Sequence, residues 1–240
     1  MSQIEDLVAA YRILAEFGII DAYGHVSVRS ENNPDRYFLS RSLAPELVRE
    51  EDILEYDLDS NAIDAQGRES VRERFIHGEA YKARPEVTAV VHNHSPTVVP
   101  FSVTHVPLRP IFHMASFVGL GVPVFEIRDF EQGTDLLVRS PGLGQALAGV
   151  LGDKPAALMR GHGALVVGEN LPRAVGRSVY LEQSARMQLQ AMTLVGSEGR
   201  ITYLDDAESI AGSKTQDYAR AWPMWREKAL AALRAETQGT

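Results

Sequence analysis

Apolar and polar positions recur along this chain with two periods, near two residues and near 3.6, and the two kinds of stretch interleave from end to end. Ile4, Leu7, Val8, Tyr11, Leu14 and Ala15 follow helical spacing and predict an amphipathic first helix ending near Phe17-Gly18. Two short strand-like runs come next, IIDAYGHVSVRS and RYFLSRS, parted by a polar break at residues 30–35. Residues 52–59 alternate as a third strand, and 61–68 form a turn-rich link. Residues 73–83 return to helical spacing through Phe75, Ile76, Ala80 and Tyr81 until Arg84-Pro85 stops them.

Thr88 to Val91 is a β-branched apolar run that predicts a buried strand, and Ser95-Pro96 after it predicts the N-cap and first position of a helix. VPVFEIRD is a further strand-like run, and residues 134–151 read as a helix starting near Ser140. AALMRGHGALVVG predicts two strands joined by a glycine-flanked turn, with a long helix at 171–195. A last helical segment at about 215–235 carries both tryptophans. No repeat, low-complexity tract or composition break interrupts this order, so the expectation is one layered α/β or α+β domain over residues 1–240.

Composition changes that picture mainly by exclusion. Hydrophobic residues make up 45% and charged residues 23%, as in ordinary globular proteins. A net charge of -8 disfavours nucleic acid and anionic membrane surfaces as partners. MSQIEDLVAAY lacks the basic start and apolar core of a signal peptide, and no apolar run approaches the ~20 residues a membrane span needs, so a cytoplasmic protein is expected. With no cysteine, any metal must be held by His, Asp or Glu.

That restriction draws attention to VVHNHSP. A strand's period of two puts His92 and His94 on one face, a half-site for a divalent cation where strand gives way to loop. His162, in Arg160-Gly161-His162-Gly163, is the candidate third ligand, its flanking glycines leaving room for the imidazole to reach inward. Three imidazoles with open positions would make a catalytic centre for Zn, Mn, Fe or Co.

GHVSVR after the first helix, the Glu73 helix, HNHSP, and RGHGALVVG before a long helix, in this order, resemble the class II aldolase/adducin-type family over residues 4 to about 195. The resemblance implies a three-layer αβα sandwich around a mostly antiparallel sheet. It implies a divalent metal on His92, His94 and His162, with Glu73 beside it as ligand or general acid/base. It further implies a homotetramer with sites near subunit boundaries. Sugar-phosphate aldolases of that family carry Gly-Asn-x-Ser and Ser-Ser-Glu at two phosphate-holding places, where this chain has Gly24-His25-Val26-Ser27 and Val71-Arg72-Glu73. Hydroxyl donors are lost and an arginine, which grips carboxylates bidentately, is gained.

With DAYGHVSVR, FLSRS, RERFIHGEAY and LMRGHG, the chain is similar to the family's decarboxylase branch, which acts on hydroxylated aromatic or pyridine carboxylic acids. The expected activity is therefore a metal-dependent carboxy-lyase in which the metal stabilises a carbanion or enolate. The alternatives are a class II aldolase or epimerase acting on a sugar, sugar acid or sugar phosphate, and a non-catalytic adducin-like binding protein.

On this reading Glu73 delivers a proton to carbon or orients a water that does; its rival role is a solvated carboxylate at a helix start. Arg72 is a carboxylate clamp or a surface ion pair. His25 hydrogen-bonds the substrate, acts as acid/base, or satisfies its own loop. Ser40, Arg41 and Ser42 are expected to line the pocket, with His113 a further substrate-site candidate. Arg160 braces the His162 turn, and His77 and His105 are structural or exposed. Tyr218, Trp222 and Trp225 are expected to pack across a subunit boundary.

Overall fold

The computed structural model describes residues 2–197 and 199–238. Its centre is a seven-stranded sheet formed by β1 (His25–Arg29), β2 (Arg36–Ser40), β3 (Ile53–Asp57), β4 (Ala89–Asn93), β5 (Val124–Phe125), β6 (Ala156–Met159) and β7 (Gly163–Gly168). The strands lie in the order β3-β2-β1-β4-β7-β6-β5. Neighbours run antiparallel except β5 and β6, which are parallel. Helices α1 (Gln3–Glu16), α2 (Phe75–Ala83), α3 (Val99–Val103), α4 (Pro141–Leu151), α5 (Leu171–Val195), α6 (Asp206–Thr215) and α7 (Trp222–Gln238) complete the chain.

Two apolar cores, one on each face of the sheet, follow from strand alternation. Ala89 and Val91 of β4 and Ala164 and Val166 of β7 join α1, α5 and α7 in the first core. Val90, Leu165 and Val167, pointing the other way, join α2 and α4 in the second. Central strands buried on both faces read as near-continuous apolar runs, as AVV and ALVV do here. The result is the expected αβα sandwich around a mostly antiparallel sheet. Each fully buried Leu, Ile or Val in these layers stabilises the fold by roughly 1.5–3 kcal/mol.

Helix ends are set locally. Ser2 caps α1 by accepting the Ile4 N–H at 3.2 Å, and Glu5 and Asp6 in its first turn both grip Arg226 of α7 at 2.5 Å. Ser140 caps α4 and accepts the Leu143 N–H, so the helix starts where its Ser-Pro signal lies and residues 134–139 form a separate loop. Ser95-Pro96 gives no such cap. The Ser95 carbonyl accepts the Val98 and Val99 N–H groups, the hydroxyl is buried with no partner among the described residues, and the one-turn helix α3 begins at Val99. VPVFEIRD pairs only at Val124–Phe125 before turning into a 3-10 turn at Ile127–Asp129. Helix α6, with its Asp205/Glu208 capping box, lies in a stretch the periodicity left unassigned.

The C-terminal aromatics differ from expectation. Tyr218 stacks on Tyr180 at 5.4 Å between ring centres and Trp225 meets Phe17 edge-on at 5.2 Å. Both are buried by their own chain, and Trp222 packs beside them against the first core. Among the described residues no helix is long and apolar enough to cross a membrane.

Candidate active site

The site forms at the ends of β1, β4 and β7 on the α2/α4 side of the sheet. His92 is the penultimate residue of β4 and shares the face of Val90; antiparallel register puts His25 of β1 opposite it. His94 follows one residue past the strand. His162 arrives on the tight turn between β6 and β7, closed by its own N–H to the Met159 carbonyl at 3.0 Å and by Gly161 at φ +64°. Gly163 lets that turn approach: a side chain there would run into the Asn93 carbonyl. Glu73 lies in the turn just before α2, not on the helix, and is buried rather than solvated.

One ligand atom from each of Glu73, His92, His94 and His162 can be chosen so that all lie within 4.8 Å of one another. His92 Nε2 is 3.2 Å from His94 Nε2, and Glu73 Oε2 is 3.5 Å from both His92 Nε2 and His162 Nε2. Tetrahedral N and O ligands at bond lengths of roughly 2.0–2.2 Å sit about 3.3–3.6 Å apart, so these three distances suit one cation.

The outer contacts also fix which ring atoms face inward. His92 Nδ1 donates to the Ala164 carbonyl at 3.2 Å and His162 Nδ1 to the Leu136 carbonyl at 3.0 Å. A carbonyl only accepts, so both Nδ1 atoms carry the proton and both Nε2 atoms present lone pairs. The Asp21 carboxylate lies 3.8 Å from His94 Nδ1. Nitrogen lone pairs converging on each other and on a carboxylate repel in the absence of a cation, which is the arrangement a divalent metal reconciles.

Protonation agrees with that. Burial, reinforced by mutual repulsion, pushes His94 down to about 4 and lowers His162. Burial would raise Glu73, but the neighbouring His92 and His162 and the Val138 N–H outweigh it and hold the carboxyl at about 2. At neutral pH His94 and His162 are therefore neutral and Glu73 is an anion.

A strap at residues 135–138 holds both sides of this cluster. Leu136 O receives His162, and the Val138 N–H donates to Glu73 Oε1 at 2.8 Å. Leu136 itself has φ +71°, a left-handed conformation a leucine adopts only when its surroundings impose it. A cavity of about 800 Å³ opens onto the cluster, walled by Tyr23, Val71, Leu136 and Leu137 on its apolar side and by Arg72, His25 and Ser42 on its polar side.

Residues 5–189 match the class II aldolase and adducin N-terminal domain. The chain belongs to that family. It is 36% identical to decarboxylase tropJ of Talaromyces stipitatus, over 92% of each chain. It is 29% identical to the 3,4-dihydroxyphthalate decarboxylase of Rhodococcus jostii, over 83% of each. Its fold superposes on the L-fuculose 1-phosphate aldolase of Glaciozyma antarctica with a TM-score of 0.78 at 27% identity, covering 97% of this chain and 90% of the other. Relatives of this class II aldolase-family chain thus include decarboxylases, and the fold is that of the aldolases.

Within this family framework the residues singled out from sequence divide clearly. Glu73, His92, His94 and His162 come together, and Arg72, His25 and Ser42 line the cavity beside them. Arg72 is exposed, with its guanidinium paired to nothing among the described residues. Ser40 lines a side annex of about 400 Å³ that shares His25 and Ser42, but its hydroxyl is bound to Tyr11 Oη at 2.9 Å. Arg41 is not brought to the cavity: its Nε is held by Asp52 Oδ1 at 2.6 Å. Nor is His113, which lines a separate cavity of about 750 Å³ beside Tyr180 and Tyr218. Arg160 braces the turn through Glu126 at 2.6 Å. His105 is exposed, whereas His77 is fully buried and hydrogen-bonded to His25. Sequence reasoning missed the strap at 135–138 and Tyr23. An apolar LLV run next to a helix start was the only signal for the strap.

Proposed function

We propose that this chain is a divalent-metal-dependent carboxy-lyase acting on a hydroxylated aromatic carboxylic acid. The observation that carries the reading is the composition of one cavity: a cation-binding cluster on its floor, an unpaired guanidinium at its rim, and apolar walls wide enough for a ring. The names of the decarboxylase relatives support the same reaction class.

Glu73, His92, His94 and His162 would hold the metal, and a cation bound there supplies Lewis-acid stabilisation of negative charge on the substrate. Arg72 is placed to take a carboxylate bidentately, orienting the ring against Tyr23, Val71, Leu136 and Leu137. Those apolar walls exclude water from the face on which charge develops when the bond to carbon dioxide breaks. Glu73, held anionic by its neighbours, acts as a ligand rather than as a ready proton donor.

The rival reading, an aldolase or epimerase on a sugar phosphate, draws on the fold likeness to L-fuculose 1-phosphate aldolase. Against it, the Ser27 hydroxyl faces α2, bonded to His77 at 2.6 Å and Tyr81 at 2.7 Å, and is not offered to a phosphate. The intact donor cluster likewise disfavours a non-catalytic adducin-like role. The two enzyme readings separate on product. Incubating metal-loaded protein with dihydroxylated benzoates and phthalates should release carbon dioxide and leave L-fuculose 1-phosphate untouched. Aldehyde from the sugar phosphate, with no carbon dioxide from the aromatic acids, would overturn the proposal. A homotetramer of one domain per chain, with its sites near the subunit boundaries, belongs to the same proposal.

A further inference from the structure

Beneath the cavity, β1 and α2 are joined by an uninterrupted chain of four polar side chains. His25 Nδ1 is 2.6 Å from His77 Nε2, His77 Nδ1 is 2.6 Å from Ser27 Oγ, and Ser27 Oγ is 2.7 Å from Tyr81 Oη. The geometry follows from secondary structure. Two residues of strand advance roughly 6.6 Å and four of helix roughly 6 Å, so His25 and Ser27 meet His77 and Tyr81 in register. His77, Ser27 and Tyr81 are fully buried, and among the described residues neither imidazole hydrogen-bonds a carboxylate, so each ring carries a single N–H.

With one proton per ring the chain can run in only two directions. If His25 Nδ1–H donates to His77, then His77 donates to Ser27 and Ser27 to Tyr81, and the phenolic proton is left with no acceptor, because Ser27 Oγ is its sole hydrogen-bond partner among the described residues. In the opposite direction Tyr81 donates to Ser27, Ser27 to His77 Nδ1, and His77 Nε2–H to His25 Nδ1. Every donor within the chain is then satisfied, and the only end left over is His25 Nε2–H, on a ring that lines the cavity.

We propose that His77 is a positioning residue which, anchored through Ser27 by Tyr81, fixes His25 as a hydrogen-bond donor into the cavity. His25 then recognises an acceptor, a carboxylate or phenolate oxygen, and has no lone pair there with which to act as a base. Tyr81 closes the far end: burial holds its phenol above the ordinary range, so it anchors the direction without feeding protons through it. The substrate half of this inference rests on the carboxylate reading above; the tautomer does not.

The test is a long-range nitrogen–proton correlation spectrum of histidine-labelled, zinc-loaded full-length protein without substrate. His25 and His77 should both appear as Nε2–H tautomers. Tyr81→Phe, which removes the anchor, should turn His25 into a mixture of tautomers, and His77→Gln, whose amide still donates, should keep it Nε2–H. Steady-state kinetics with whichever acid releases carbon dioxide should show KM raised about tenfold in His77→Phe, one hydrogen bond's worth, with most of it recovered in His77→Gln. His25 protonated on Nδ1 in the unmutated protein, or a tautomer indifferent to both Tyr81→Phe and His77→Phe, would overturn the proposal. Should no acid be turned over, the carboxylate reading fails while the spectrum still decides the tautomer.

Discussion

Two groups of histidines stand side by side in this molecule and are held in opposite ways. His92 and His162 spend their Nδ1 protons on backbone carbonyls and turn lone pairs inward. His25, whose ring centre lies 5.0 Å from that of His92, is braced by another side chain and turns a proton outward instead. One residue type thus serves as cation ligand or as hydrogen-bond donor according to what its other nitrogen meets, carbonyl or imidazole. The lesson is that a histidine's role is written in the partner of the ring atom that faces away from the site.

The sharpest way to break that contrast is to remove one member of each group. His92→Ala should lose the metal and all turnover, a larger effect than the roughly 10–100-fold that removing an outer partner costs. His77→Ala should keep its metal and instead lose about 1–3 kcal/mol of stability, because Ser27 and His25 are left with unmet buried groups. Metal content and chemical denaturation of the two variants check this crossing; metal loss in both would erase the distinction.

Glu73→Gln comes next. Taking the anionic ligand out of the cluster while keeping its shape should weaken metal retention, read by competition with a chelator, though less than the complete loss expected of His92→Ala. Unchanged affinity would move Glu73 off the cation.

Acid sharpens the comparison further. Burial pushes His77 down to about 3 and His94 to about 4, from an ordinary 6.5. The unfolded chain therefore binds more protons than the folded one below about 6.5, so the stability these groups contribute is complete above that pH and is lost as pH falls toward 4 and then 3. Thermal denaturation of chelator-treated protein should show Tm falling across this window, and a flat profile would contradict neutral burial of these rings.

The smallest effect is expected of Arg72→Ala. Exposed and unpaired, Arg72 should contribute within about 0.5 kcal/mol to stability, while its loss raises KM for a dicarboxylate more than it lowers kcat. An unchanged KM would place the substrate elsewhere.

Much of this was legible in the chain. The αβα order, His92 with His94, and the Gly161-His162-Gly163 turn are all carried by local patterns, periodicity and glycine, that a linear reading recovers. What stayed hidden depends on a second element. HVSVR alternates like a strand with one wet face, yet all five residues are buried, because His25, Ser27 and Arg29 face α2 rather than water. His77 lies on an otherwise apolar helix face, where nothing local says what covers it. Arg41 looked available only because Asp52, eleven residues on, was not yet beside it. Ser95-Pro96 carries a sound capping signal, overridden here by a loop in which Glu182 of α5 takes the Thr97 N–H at 3.0 Å and the Thr97 hydroxyl.

The most direct measurement is the metal content of the purified chain by elemental analysis, before and after chelation, alongside His162→Ala. One divalent ion per chain, removed by chelator together with activity and absent from His162→Ala, is the result expected. A full complement of metal in His162→Ala, or activity that survives complete removal of the ion, would contradict the claim that both distant turns meet on a single working cation.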